Sequence, residues 1–252
     1  MDEAKKSLGQ HWLNDPISLQ AICDAAQISP TDTVLEIGPG HGSLTKYLVE
    51  RAGRVIAIEK DETLAPLLKM PKLEVIAGDI LKFDFGSLPH PYKIVANIPY
   101  YLTSYLLRLL GETANMPELA ALLVQKEVAE RVCAEPGQMS LLAVSVQLHY
   151  QPSLGQVVPA RLFVPPPKVD SQVLLLHRRT EPLFRDLDKD KFFKVVKAGF
   201  SEKRKKLRSS LAGGLGLSKD AADTLLTKAG ISGDLRAQNL SLADWHKLYQ
   251  AL

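Results

Sequence analysis

The chain has 252 residues, enough for one large domain and a small one. Hydrophobic residues make up 46% and charged residues 23%, the balance of an ordinary globular protein with a sizeable core, and a net charge of +3 is too mild to name a partner. Cys23 and Cys133 stand far apart and outside any CxxC pattern, which argues against a disulfide scaffold and against a zinc site. Met1 to Gln10 hold no signal-peptide core, and no apolar run approaches the roughly 20 residues that span a bilayer. A cytoplasmic protein without membrane contact is expected.

In chain order, Val34 to Ile37 reads as a buried strand that ends at Gly38-Pro39-Gly40-His41-Gly42. Ser43 to Ala52 follows as a helix and Arg54 to Glu59 as a second strand. Thr63 to Lys69 is predicted as a helix closed by Pro71, then Leu73 to Ala77, Tyr92 to Asn97 and Leu119 to Val124 as strands. Gln125 to Cys133 reads as a helix and Val173 to His177 as a last strand. Strands separated by helices predict an α/β fold with a parallel sheet wrapped on both faces. After Arg178 to Pro182 the strand pattern stops. Phe192 to Phe200, Glu202 to Leu211, Lys219 to Ala229 and Leu242 to Leu252 read as helices, broken at Gly213-Gly214 and Gly230. The expected division is residues 1–180 for a ligand-binding α/β domain and 181–252 for a small all-helical domain.

A strand, a glycine turn and a helix place a ligand at the carboxyl end of the sheet. The spacing Glu36-x-Gly38-x-Gly40-x-Gly42 is not the GxGxxG that cradles a pyrophosphate, so it suits a ligand without a diphosphate, such as S-adenosylmethionine. Glu59 ends the second strand, where an acid accepts hydrogen bonds from ribose hydroxyls. Asp79 follows the third strand and can accept a bond from an adenine amino group. An NAD enzyme is the rival at this point.

The fourth strand runs into Asn97-Ile98-Pro99-Tyr100. The N6 of adenine is a poor nucleophile because its lone pair is delocalised into the ring. The Asn97 amide oxygen can accept an N6 hydrogen, and Tyr100 offers an aromatic face to an extruded base. Phe163 precedes three prolines that hold its loop extended, which suits stacking on the far side of such a base, or anchoring the loop in the core. Lys203-Arg204-Lys205-Lys206-Leu207-Arg208 is a basic run on a predicted helix, either a solvated face or a phosphate contact. The histidines show no metal spacing.

On these motifs the chain resembles the ribosomal RNA adenine dimethylases. Ser7 to Asp15 looks like the family's N-terminal signature, Glu36 to Gly40 its first cofactor motif and Asn97 to Tyr100 its catalytic motif. Leu123 to Ala129 looks like the strand and helix that follow, Phe163 to Ser171 the loop beside the target base, and Gly199 to Arg208 the start of the C-terminal domain. The resemblance covers almost the whole chain. It implies a Rossmann-like class I methyltransferase domain with a small helical C-terminal domain. It implies S-adenosylmethionine as cofactor, contacted by His11, Leu13, Gly38, Glu59, Asp79 and Asn97, with no metal. Asn97, Tyr100 and Phe163 would act on the base, and Lys203, Arg204, Lys205 and Arg208 on RNA. The implied reaction is dimethylation of N6 on two adjacent adenosines near the 3′ end of small-subunit rRNA, within a precursor of the 30S particle, by a monomer. His11 and Trp12 stand where many members have Asn and Phe, and Tyr105 where members often have proline. Rivals are a large-subunit rRNA methylase of the antibiotic-resistance group, a DNA adenine methylase, for which Ile98 is the wrong second residue, and a non-catalytic assembly or transcription factor.

Overall fold

A computed structural model describes residues 11–252; the Ser7–Gln10 part of the N-terminal signature lies outside them. The chain divides into two compact units. The first comprises the chain through Glu130 together with Tyr150–Arg178, and the second Arg131–His149 with Arg179–Leu252. A single cut at residue 180 therefore misses Arg131–His149. That segment joins the second unit because Met139, Ala143, Val144 and Leu148 belong to its apolar core.

The first unit holds strands β1 (Trp12–Leu13), β2 (Thr33–Ile37), β3 (Arg54–Glu59), β4 (Leu73–Ala77), β5 (Lys93–Asn97), β6 (Leu119–Gln125), β7 (Tyr150–Val158), β8 (Phe163–Val164) and β9 (Ser171–Arg178). Seven of them form one sheet in the order β4-β3-β2-β5-β6-β9-β7, and β1 pairs with β8 in a separate antiparallel ribbon. The strands from β4 to β6 run parallel, whereas β9 is antiparallel to both β6 and β7. The sheet is thus mixed rather than parallel throughout. Val34, Leu35, Val55, Ile94 and Val95 are wholly buried. Parallel strands are covered on both faces, and this is why they read as unbroken apolar runs in the sequence. Each such side chain contributes about 1.5–3 kcal/mol by leaving water.

Strand order reverses at β2, with β3 on one side and β5 on the other. The carboxyl ends of β2 and β5 therefore diverge into a crevice, the place where open α/β sheets hold ligands. The helices of this unit are α1 (Pro16–Ala25), α2 (Thr45–Arg51), α3 (Thr103–Glu112) and most of α4 (Lys126–Val132). Asp15 caps α1 by accepting the Ser18 N–H at 2.9 Å, and Pro16 opens the helix where no N–H is needed. The predicted helix over Thr63–Lys69 is only a 3-10 turn, Ala65–Leu67. Pro66 lies inside it and removes an N–H that an α-helix would use.

The second unit packs α5 (Leu141–Gln147), α6 (Lys189–Phe200), α7 (Leu207–Leu215), α8 (Lys219–Ala229) and α9 (Leu242–Ala251) around Phe192, Leu211 and Trp245. Helix α7 passes through Gly213-Gly214, the expected break, and stops at Gly216, whose φ is +68°. Gly214 serves close packing instead: a Cβ there would lie 2.5 Å from the Ala198 Cα of α6. The basic run is not helical before Leu207; Lys203 to Lys206 form the turn that leads into α7. Among the described residues no helix is long and apolar enough to cross a membrane.

Candidate active site

One cleft in the first unit gathers the ends of β2, β3, β4 and β5 with β1 and β8. Beyond β2, Gly38, Gly40 and Gly42 have φ of +67°, +58° and +81°, values that a residue with a Cβ rarely adopts. A Cβ on Gly38 would meet nothing within 4 Å, and the same holds at Gly78 after β4. Both glycines line the cleft, so the chain leaves room along its wall where a ligand can approach the backbone.

Three carboxylates surround that wall. Glu59 is 5% exposed; its Oε2 accepts the Gly40 N–H at 2.9 Å and its Oε1 the Asp61 N–H at 2.8 Å. Glu59 therefore holds the glycine turn against the end of β3, and each oxygen keeps a second lone pair. Asp79 accepts the Leu81 N–H at 3.0 Å and forms an ion pair with Lys60 at 2.8 Å. The Lys60 ammonium holds the Asp79 carboxyl below its usual range. Glu36 is 1% exposed, and its Oε2 has no partner. Burial pushes its pKa up to about 8, opposed by the Thr45 hydroxyl and reinforced by the Glu59 charge.

On the other side of the crevice, Asn97 ends β5. Its Nδ2 donates to the His11 carbonyl at 3.3 Å, which leaves Oδ1 as the acceptor end of the amide. The Tyr100 hydroxyl pairs with Ser171 Oγ at 2.8 Å, and His11 stacks on the Tyr100 ring with centroids 5.8 Å apart. His11 is itself fixed, because Nδ1 lies 2.7 Å from the Pro165 carbonyl and must donate to it. The β1–β8 ribbon, with Leu13 opposite Phe163, brings this N-terminal segment to the cleft. Leu13 and Phe163 are each 2% exposed and belong to the apolar core, so at Phe163 the loop-anchor geometry is the one present, with the residue also on the cleft wall.

The expected cofactor and base residues His11, Leu13, Gly38, Glu59, Asp79, Asn97, Tyr100 and Phe163 thus line one cleft. Lys203, Arg204, Lys205 and Arg208 belong to the second unit. There Lys205 pairs with Glu202 at 2.6 Å, Lys206 with Asp234 at 2.9 Å, and Arg208 with Asp223 and Asp234. Lys203 and Arg204 have no ion pair among the described residues. The sequence assigns no role to Lys60, and it places Ser171 at the end of the loop beside the base without its pairing to Tyr100. Lys60 directly follows Glu59, which is a usable signal, but Ser171 meets Tyr100 across 71 residues, and that pairing has no local signal.

A family model described as ribosomal RNA adenine dimethylase matches residues 1–252. A ribosomal RNA small subunit methyltransferase A from Dehalococcoides mccartyi is 44% identical over 253 residues, covering 97% of this chain and 87% of that protein. The protein of the same name from Streptococcus pneumoniae is 40% identical over 265 residues, covering 98% and 91%. Among solved structures, a dimethyladenosine transferase from Plasmodium falciparum superposes with a TM-score of 0.80 at 29% identity, covering 94% of this chain and 96% of that one. The 23S rRNA methyltransferase ErmE superposes with a TM-score of 0.76 at 30% identity, covering 96% and 99%. The sheet order and these likenesses make the first unit a Rossmann-like methyltransferase fold. With its model matched from end to end and relatives this similar, the chain belongs to the ribosomal RNA adenine dimethylase family.

Proposed function

We propose that the chain dimethylates N6 of two adjacent adenosines in a loop near the 3′ end of small-subunit rRNA, using S-adenosylmethionine. It acts as a cytoplasmic monomer on a precursor of the small ribosomal subunit. The observation that carries this reading is the orientation of Asn97: with Nδ2 engaged by His11, Oδ1 is free to accept an N6 hydrogen at the edge of the glycine-lined cleft.

The residues present suit the cofactor. Gly38 and Gly78 leave open space along the wall, and Glu59 and Asp79 keep lone pairs for the ribose hydroxyls and the adenine amino group. Glu36, buried with an unpartnered oxygen and neutral below about pH 8, adds a hydrogen-bonding group to the same wall. When bound, S-adenosylmethionine supplies a methyl group on a positively charged sulfur. Asn97 Oδ1 would draw N6 into position and stabilise charge as it develops there, which is where preorganised polar groups contribute most. Tyr100, held by Ser171 and His11, would present its ring to the base. Leu13 and Phe163 would close the cleft against water. Lys203 and Arg204, with Lys205 and Arg208, would meet RNA phosphates.

The test is single-turnover methylation of an assembled small-subunit precursor, with particle affinity measured in parallel. Wild type should form dimethyladenosine. Binding of the particle without methylation would leave only a scaffold, and NAD binding in place of the methyl donor would overturn the cofactor assignment.

A further inference from the structure

The cleft does not end at Tyr100. Tyr101 lines its mouth and is 52% exposed, and Tyr105, four residues on, is 59% exposed. Four residues along α3 and the turn that opens it bring both rings to one side. The opposite side is fully used, since Leu106, Leu107 and Leu110 are at most 1% exposed. Core packing therefore needs neither tyrosine. A single exposed ring is ordinary on a protein surface. Two on one side, beside a cleft and among cations, call for a physical reason.

Cations accompany the rings. The Arg108 guanidinium lies over the Tyr105 ring, 5.9 Å from its centroid, while also reaching Glu112 at 3.5 Å. Lys60, half exposed, lines the same cleft as Tyr101, and it is already tied to Asp79. The turn Ile80–Lys82 packs against α3 and adds the exposed Lys82 and the cleft-lining Leu81, which is 39% exposed. Exposed aromatic faces interleaved with positive charge are how proteins hold unpaired nucleic acid: bases stack on the rings and phosphates meet the cations.

We propose that Tyr101 and Tyr105 form a stacking platform for the unpaired nucleotide next to the target adenosine. The inference rests on the RNA-loop reading above and extends it to the flanking strand. Two observations select this occupant over a protein surface: the exposed Lys82 on the turn packed against α3, which has no ion pair among the described residues, and the continuity of Tyr101 with the cleft that takes the target base. The four residues from Tyr101, in the 3-10 turn, to Tyr105, in α3, advance about 6–7 Å along the axis. Neighbouring bases in a stack are only about 3.4 Å apart. The platform therefore suits a strand whose bases are splayed, as it must be when one of two adjacent adenosines enters the cleft. The second adenosine waits on the rings while the first is methylated.

The full-length protein carrying Tyr105→Ala, Tyr101→Ala or Tyr105→Phe is compared with wild type for affinity toward the small-subunit precursor and toward a protein-free RNA loop containing both adenosines. Dimethylation at each adenosine is quantified separately. Each alanine variant should bind both RNAs about tenfold more weakly. It should also change the ratio of product at the two positions, and Tyr105→Phe should restore both. Tyr105→Ala should keep the wild-type melting temperature and affinity for S-adenosylmethionine. Wild-type RNA affinity in the alanine variants would overturn the proposal. So would a Phe variant as weak as Ala, because the ring would then not be what the base stacks on. A defect on the particle but not on the free loop would instead assign the rings to a ribosomal protein. If wild type never methylates adenine, the proposed function fails, while ring-dependent binding of the RNA loop still decides this inference.

Discussion

The two units handle charge in opposite ways. In the α/β unit, Glu36, Glu59 and Asp61 are at most 5% exposed, gathered around the ends of β2 and β3. Burying carboxylates is costly unless backbone donors or a ligand satisfy them. Glu59 is satisfied by two N–H groups, whereas Glu36 keeps an unpartnered oxygen. In the helical unit the charges around Lys203–Arg208 stay on the surface, and most are neutralised by acidic neighbours. Such exposed pairs contribute roughly 0–1 kcal/mol each. In the α/β unit the Glu36 and Glu59 carboxyl groups at the cleft are thus buried, and that of Glu36 is incompletely paired. In the basic turn, a count of lysines and arginines overstates the charge available to RNA.

The largest effect should fall on Asn97. Asn97→Ala removes the oriented amide and should cut single-turnover methylation about 10²–10³-fold with near-normal particle binding. Wild-type turnover would take the chemistry away from the half-buried polar end of β5. On the helical side the vulnerable point is packing. A Cβ on Gly199 of α6 would collide with the Trp245 ring, so Gly199→Ala should cost roughly 1–3 kcal/mol in calorimetric unfolding. No change in unfolding would mean that α6 and α9 can move apart freely.

Glu59→Ala should weaken S-adenosylmethionine binding by roughly 1–3 kcal/mol, since it also releases the Gly40 and Asp61 N–H groups. Unchanged calorimetric affinity would remove Glu59 from the site. Glu36 sharpens the contrast through pH. Its pKa is about 8 in the fold against an ordinary 4.5, so both states are neutral below 4.5. Between those values the unfolded chain releases the proton and the folded one keeps it, so stability from this group falls as pH rises, levelling off above about 8. Melting temperatures from pH 5 to 8 should show this decline in wild type and a shallower one in Glu36→Gln; identical profiles would contradict it.

The smallest effect concerns the basic turn. Replacing Lys203 and Arg204 by glutamine should lower the salt slope of RNA binding by about 0.7 for each phosphate that is no longer neutralised. Lys206→Gln should leave it nearly unchanged, because Asp234 already holds that ammonium. Equal slopes in all variants would mean that the whole run is a solvated face.

Much of the α/β unit was legible in the chain itself. Parallel strands buried on both faces leave continuous apolar runs, so β2, β3, β5 and β6 are read close to their true bounds, while the half-exposed edge strand β4 is read from its β-branched residues alone. The glycine spacing after β2, Glu59 closing β3, Asp79 after β4 and Asn97 closing β5 mark strand ends, and strand ends in such a sheet converge on one crevice. Helix stops at glycine were equally readable at Gly230, where φ is +68°. Other features arise only from distant neighbours. Nothing near β9 states that it lies antiparallel between β6 and β7, and Arg131–His149 joins the helical unit through apolar packing with helices that follow much later. Gly213-Gly214 looks like a break until Ala198 packs against it. The acceptor end of Asn97 is chosen by a carbonyl 86 residues away, and the charge left on the basic turn by aspartates about 15 to 28 residues on. Local sequence determines backbone preference and which face is apolar; the partner of a side chain depends on long-range packing, which has no local signature.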